Sequence, residues 1–356
     1  MTGRGSLRRA WLPLVGIATI AGSLGAAFAW SAGLVGDRIT TSTFLADTPK
    51  SFPAGYRRAH GKGICFDGVF RASGAAASIS TARVFSQAQT PAIGRFSIGT
   101  ADPYAPDNST RTVSMAMLIA ADDGEQWRMK MNNEPLFATH DAEGFLARIA
   151  AFAPDPATGQ PDPAKVAAFY RVYPEARRVI EAKARAPWPS SFAGVHYYAI
   201  HAYLFVGPDG RRQPVRWWWR PHADFTGWSV EERAKANRDH LFKDIAERLA
   251  HGPLRWDLVL QLAEPGDPVD DPSQPWPATR RQIVGGTLEV TRVVDQAKGT
   301  CRDVNFDPTL VPKGMALTND PVLAARGGIY AHSYNARLRE IGYGRATDAV
   351  GRKDGR

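Results

Sequence analysis

Hydrophobic and polar positions fall into two rhythms along this chain. Period-two alternation, the mark of a half-buried strand, runs through Val113–Ala120, residues 196–206 (HYYAIHAYLFV) and residues 215–220 (VRWWWR). The last two flank Gly207-Pro208-Asp209-Gly210, a run of turn formers, and so predict an aromatic hairpin. Leu254–Leu262 and residues 282–294 predict two more strands, and residues 127–137 (WRMKMNNEPLF) a strand that ends at Asn132-Asn133 ahead of Pro135. The 3.6-residue rhythm is rarer. Ser229-Val230-Glu231-Glu232 has the spacing of a capping box. Behind it Ala234, Leu241, Phe242, Ile245 and Leu249 form an apolar stripe closed by Gly252, which predicts one helix. Residues 154–163 (PDPATGQPDP) predict a surface loop leading to a helix from Ala164, interrupted near Pro174. Many strands with few inserted helices predict an α+β fold built on an antiparallel β-barrel.

The N-terminus departs from both rhythms. Residues 11–35 carry no charge and follow Arg4, Arg8 and Arg9. As a helix this run is long enough for the ~30 Å hydrocarbon core of a membrane. The arginines stay cytoplasmic, so the rest of the chain is expected on the far side, in the periplasm or outside the cell. Two readings stand: an uncleaved anchor over residues 1–37, which the length favours, or a signal cleaved at Ala27-Phe28-Ala29. Arg8-Arg9 also fits loosely a twin-arginine export signal.

Composition narrows the classes. Hydrophobic residues make up 44% and charged residues 22%, the balance of a folding globular chain rather than a disordered or collagen-like one. The net charge of +9 raises the question of nucleic acid, but no compact basic block lies between the termini, so no nucleic-acid partner is expected. Residues 346–356 form a basic tail. Two cysteines, Cys65 and Cys301, exclude a four-cysteine zinc site; in an oxidising compartment they could pair with each other.

Candidate chemistry sits in short segments. If residues 326–337 (RGGIYAHSYNAR) are helical, Arg326 and Tyr330 stack at i and i+4, with Tyr334 on the same face. A guanidinium against a phenol oxygen favours phenolate, a hard anionic ligand suited to ferric iron. The bland alternative is a tyrosine packed over an arginine. His60, ahead of Gly61-Lys62-Gly63, has the setting of a general base held by backbone on one side, or of a structural histidine at a turn.

These segments occur in a meaningful order. His60-Gly61-Lys62-Gly63, Arg95-Phe96-Ser97, Trp127 with Asn132-Asn133-x-Pro135-x-Phe137, Phe306-Asp307-Pro308 with Pro312-x-Gly314, and Arg326-x-x-x-Tyr330 follow one another as in haem catalases. From about residue 45 to 340 the chain resembles that superfamily, and most closely its short branch, the catalase-related peroxidases. The resemblance implies a catalase-like barrel domain over residues 38–345, haem b as cofactor, a peroxide substrate, an external electron donor and a capacity to form homo-oligomers. It implies that His60 is the distal histidine, Asn132 the asparagine that orients peroxide, and Ser97 the serine bonded to the histidine. Phe137 would pack on the distal face of the ring and Phe145 near the channel floor. Tyr330 would be the axial ligand with Arg326 as its charge partner, and Arg57, Arg95 and Arg337 would hold the haem carboxylates.

Departures from the family pattern bear on substrate. Ala59 stands where a valine usually precedes the distal histidine, which opens space. Arg111-Thr112-Val113-Ser114 replaces a D-P-R-G segment whose aspartate faces the peroxide channel, and no acidic equivalent is expected. Both point from disproportionation of hydrogen peroxide towards peroxidase work on larger peroxides, in oxidative-stress defence. The alternatives are a true catalase or a hydroperoxide isomerase on the same fold, an exported haem-binding protein without turnover, and a ligand-binding barrel without haem.

Overall fold

The computed structural model describes residues 5–31 and 53–343; the end of the charge-free run and the basic tail lie outside them. The chain divides into two compact units, Met1–Thr48 and Pro49–Arg356. The first contains helix α1 (Gly5–Ser31), whose stretch Pro13–Ser31 has a mean hydropathy of 1.6 and is long and apolar enough to cross a membrane.

The second unit is a closed antiparallel barrel with helices inserted between its two halves and after them. β1 (Gly63–Ala72), β2 (Thr90–Ile98), β3 (Val113–Ala120) and β4 (Gln126–Asn132) form one meander. α2 (Ala142–Ala151), α3 (Pro163–Val172) and α4 (Pro174–Arg185) follow, then the two-residue strand β5 (Trp188–Pro189). β6 (Tyr197–Val206) and β7 (Arg212–Pro221) open the second meander, and β5 pairs with β8 (Gly227–Trp228). After α5 (Val230–Lys235) and α6 (His240–Ala250), β9 (Leu254–Leu262) and β10 (Gln282–Asp295) complete it. β10 pairs with β1, and Asn132 of β4 pairs with Tyr198 of β6, which closes eight strands into a barrel. A short β11 (Met315–Leu317) adds to β6, and helix α7 (Pro321–Gly342) ends the described chain.

Alternation decides what fills the barrel. Phe66, Phe96, Met115, Met117, Trp127, Met129, Trp217, Trp219 and Trp256 point inward and are almost wholly buried. The outer face of β1–β4 is covered as well: Cys65, Ala116 and Leu118 pack against Cys301 and Phe306. β3 is likewise buried on both faces.

The helix expected behind Ser229 is two helices. Its capping box forms, but α5 stops at Lys235 and α6 restarts at His240. Tertiary bonds override the periodicity: Arg238 O accepts from Asp107 N and from Lys62 Nζ, and Asp107 Oδ2 accepts from Leu241 N at the start of α6.

Cys65 and Cys301 form a disulfide across 236 residues of sequence, joining β1 to the segment ahead of α7. Closing so long a loop constrains the unfolded chain strongly, by about 2–4 kcal/mol. Cys65→Ser is therefore expected to lower the thermal unfolding midpoint, and added reductant should lower the wild-type midpoint alike. Equal midpoints with and without reductant would contradict this role.

Candidate active site

Strand register builds one wall of the site. Gly63, Ser97, Ser114 and Asn132 lie in one cross-strand row on the outer face of β1–β4, and Cys65, Arg95, Ala116 and Lys130 in the next. His60 stands just before β1 with φ 54°, the one positive φ outside glycine among the described residues. Such strain persists where the surroundings hold it. Here Gly61 N donates to Thr100 O at 2.7 Å, and a side chain on Gly61 would meet the Ala101 carbonyl.

The distal hydrogen bonds fix their own polarity. Asn132 Oδ1 can only accept; it takes Ser114 Oγ–H at 2.6 Å and Lys130 Nζ at 2.9 Å. With its proton so used, Ser114 Oγ accepts from His60 Nδ1, 3.0 Å away. The histidine proton is thus on Nδ1, which leaves Nε2 with a lone pair, and the asparagine NH2 is left as a donor. Burial, then Lys130 and Arg95, push the His60 pKa well below its ordinary value, so the ring is a neutral base. The serine is a correction to the sequence reading: Ser114 of β3, not Ser97, meets the histidine. Ser97 is its direct cross-strand neighbour, so the expected residue lies one strand away.

The opposite wall is α7, which starts at Asp320 with Pro321 in its first turn. Asp320 Oδ1 caps it, accepting from Val322 N at 2.8 Å and Leu323 N at 3.1 Å. Its Oδ2 lies 2.6 Å from His201 Nδ1 on β6, and His201 Nε2 takes Arg326 Nη1 at 2.8 Å. Arg326 Nη2 then donates to Tyr330 Oη at 2.7 Å, so a carboxylate, an imidazole and a guanidinium align behind one phenol oxygen. Burial lowers the His201 pKa; Asp320 opposes this and Arg326 adds to it, so the ring is neutral with its proton towards Asp320. The sequence reading missed His201 and Asp320. Asp320-Pro321 is a legible helix start, but His201 sits in an aromatic strand with no local mark.

Arg57, Arg95 and Arg337 converge beside these walls and line a cavity of about 550 Å³ with Tyr56, Lys62 and Phe242. Among the described residues none of the three meets a carboxylate in an ion pair. Arg57 donates to the carbonyls of Cys301, Arg302 and Val304, and Arg95 to Gly61 O and Gln296 Oε1. Arg337 Nη1 donates to Arg302 O while its buried Nη2 has no partner. Burial and the neighbouring Arg337 push the Arg57 pKa down to about 9; burial, Arg57 and Arg337 hold Arg95 well below its ordinary value. Three repelling guanidiniums with an unused donor fit a dianionic group, such as the two carboxylates of a haem. A side chain on Gly63 would displace the Arg95 guanidinium from its present place.

The remaining expected residues are placed as follows. Phe137 and Phe145 stack at 5.5 Å between the end of β4 and α2. Ala59 is exposed. Glu134 lies beside the 111–114 segment: its Oε1 accepts from Thr112 Oγ1 at 2.6 Å and pairs with Lys183 at 2.8 Å.

Comparison with known proteins identifies the family and the fold. Residues 50–343 match the sequence model of the family described as Catalase. A catalase-related peroxidase of Synechococcus elongatus is 33% identical over 93% of this chain and 97% of its own length. One of Mycolicibacterium paratuberculosis is 29% identical over 80% of this chain and 89% of its own. A fungal catalase structure superposes with a TM-score of 0.72 at 20% identity, covering 81% of this chain and 60% of that one. The fold is therefore catalase-like, and the chain spans about three fifths of the solved catalase.

The revised serine assignment is directly testable. Ser114→Ala removes one donor from Asn132 and the acceptor of His60 Nδ1–H, a loss of about 1–3 kcal/mol. Peroxide-dependent turnover should fall by roughly ten- to a hundredfold by the same measure, and Ser97→Ala should fall by much less. The reverse order in steady-state rates would restore Ser97.

Proposed function

This chain belongs to the catalase family, and we propose that it is a haem-dependent peroxidase, reducing hydrogen peroxide and organic hydroperoxides with electrons from an external donor. The observation that carries this reading is the distal hydrogen-bond chain, which leaves a lone pair on His60 and a free donor on Asn132. A protein that merely stores haem needs neither.

Each side chain then has a task. His60 Nε2 would take the proton from one peroxide oxygen and return it to the other as the O–O bond breaks. The Asn132 NH2 holds the peroxide axis. When bound, the haem iron supplies the bond cleavage and the electron storage that no side chain here provides. Tyr330 Oη would serve as the iron's protein ligand, and Arg326 Nη2 donates to that oxygen and holds it in place. Arg57, Arg95 and Arg337 bind the carboxylates of haem b.

The preference for organic peroxides rests on Ala59, since Glu134 supplies a carboxylate next to the 111–114 segment. The apolar stretch Pro13–Ser31 and the Cys65–Cys301 disulfide support an exported enzyme held at the membrane, because disulfides persist in oxidising compartments.

The purified protein should show a haem Soret band and turn over an alkyl hydroperoxide with an organic donor. Tyr330→Phe should load haem poorly or lose the tyrosinate character of its spectrum; a wild-type spectrum in that variant would refute the axial assignment. His60→Ala should keep haem while losing at least about 10²–10⁴ in rate. Faster disproportionation of hydrogen peroxide than reduction of organic peroxide would identify a true catalase instead.

A further inference from the structure

We propose that Lys130 is a positioning residue of the distal site, which orients the Asn132 amide and keeps His60 in its unprotonated, basic form. The inference rests on the peroxidase reading and adds a residue to it.

Lys130 is not needed to fold β4. Trp127, Met129 and Met131 provide the strand's buried inward face, while Lys130 and Asn132 lie on the outer face, opposite Ala116 and Ser114. A lysine on such a face ordinarily extends its ammonium into water. Here Nζ is turned onto the site instead, 2.9 Å from Asn132 Oδ1 and 3.3 Å from Met131 O. No carboxylate pairs with it among the described residues, since nearby Glu134 is committed to Lys183 and Thr112. Its other charged neighbours, Arg326, Arg95 and Arg57, are cations. A partly buried amine set among guanidiniums gains nothing for the fold alone.

Its placement has two consequences. With Ser114, Lys130 gives Asn132 Oδ1 two donors; a flipped amide could still bond the Ser114 hydroxyl, which also accepts, but would set its NH2 against the Lys130 ammonium and lose that bond. The NH2 is thereby held towards the peroxide. Lys130 donates that bond in either protonation state. The second consequence is electrostatic. His60 is faced by Lys130 from β4, Arg95 from β2, Arg326 from α7, the Ser114 hydroxyl from β3 and the Ile98 carbonyl. Burial is the largest cause of its lowered pKa and Lys130 the next, while the Ile98 carbonyl works the other way. Burial, Arg326 and Arg95 in turn hold Lys130 well below an ordinary lysine. In its charged form Lys130 opposes a proton on His60, so removing it should raise the proton affinity of His60 and the base should be lost at higher pH on acidification.

The test uses the haem-loaded full chain and reads the pH dependence of cyanide association with ferric haem, followed at the Soret band. Incoming HCN must give up its proton, so the rate falls as His60 becomes protonated. Lys130→Met is expected to keep haem and the Soret position while the acid inflection moves up by about one pH unit. Lys130→Arg, which keeps the charge, should restore the wild-type inflection. An unmoved or downward-moving inflection in Lys130→Met, or Lys130→Arg behaving like Lys130→Met, overturns the proposal. If Lys130→Met fails to load haem, Lys130→Gln, neutral but still a donor, decides: an upward shift supports the proposal and none overturns it. Wild-type protein with no Soret band or no peroxide turnover sinks the peroxidase reading and this proposal together. An active wild type with an unmoved variant sinks this proposal alone.

Discussion

Three guanidinium groups, Arg57, Arg95 and Arg337, are held together with no carboxylate paired to them among the described residues. Their repulsion and desolvation must be offset, and the chain is arranged to do so in part. Carbonyls of Cys301, Arg302 and Val304 accept their protons, and the Cys65–Cys301 disulfide ties that segment to β1. Glu340, one turn beyond Arg337 on α7, pairs with Arg58 and accepts from Gly55 N at 2.8 Å, binding the helix to the segment that precedes His60. The two walls of the site are thus joined by the same residues that concentrate positive charge between them. Among the described residues, Arg337 Nη2 is left unused, and the proposed anionic ligand would complete the balance.

Each wall carries a hydrogen-bond chain whose direction is set by groups that can act in one way. On α7, Asp320 accepts and Arg326 donates, so His201 between them is a single tautomer. On the barrel, Asn132 Oδ1 accepts twice, so Ser114 and His60 are likewise ordered. Two histidines with defined protons, His201 buried and His60 partly so, are held without reorganisation, the condition under which fixed dipoles act most strongly. Asp320 links fold and chemistry: one carboxylate oxygen caps α7 while the other anchors the chain behind Tyr330.

Much of this was legible in the sequence, and the failures have physical causes. β3 and β9 match their expected bounds, Val113–Ala120 and Leu254–Leu262, because alternation and flanking turns coincide there. The Arg326–Tyr330 bond followed from helical spacing, and the arginines, His60 and Asn132 from a resemblance carried by short motifs. Cross-strand register was not legible. It sets Ser114 beside Ser97 and Lys130 beside Arg95's row, so the serine was misplaced and the lysine passed over. His201 was missed because its partners lie more than a hundred residues away. The break between α5 and α6 comes from bonds to Asp107, which no helical pattern contains.

The central claim is that the arginine cluster is completed by the carboxylates of a haem. Titration of the haem-free protein with haem and with haem dimethyl ester, which lacks those charges, tests it most directly. Charge-assisted hydrogen bonds contribute about 1.5–3 kcal/mol each, so haem should bind at least about a hundredfold more tightly than its ester and raise the unfolding midpoint further. Equal affinity for the two would mean that the three arginines serve another ligand, and would contradict the account.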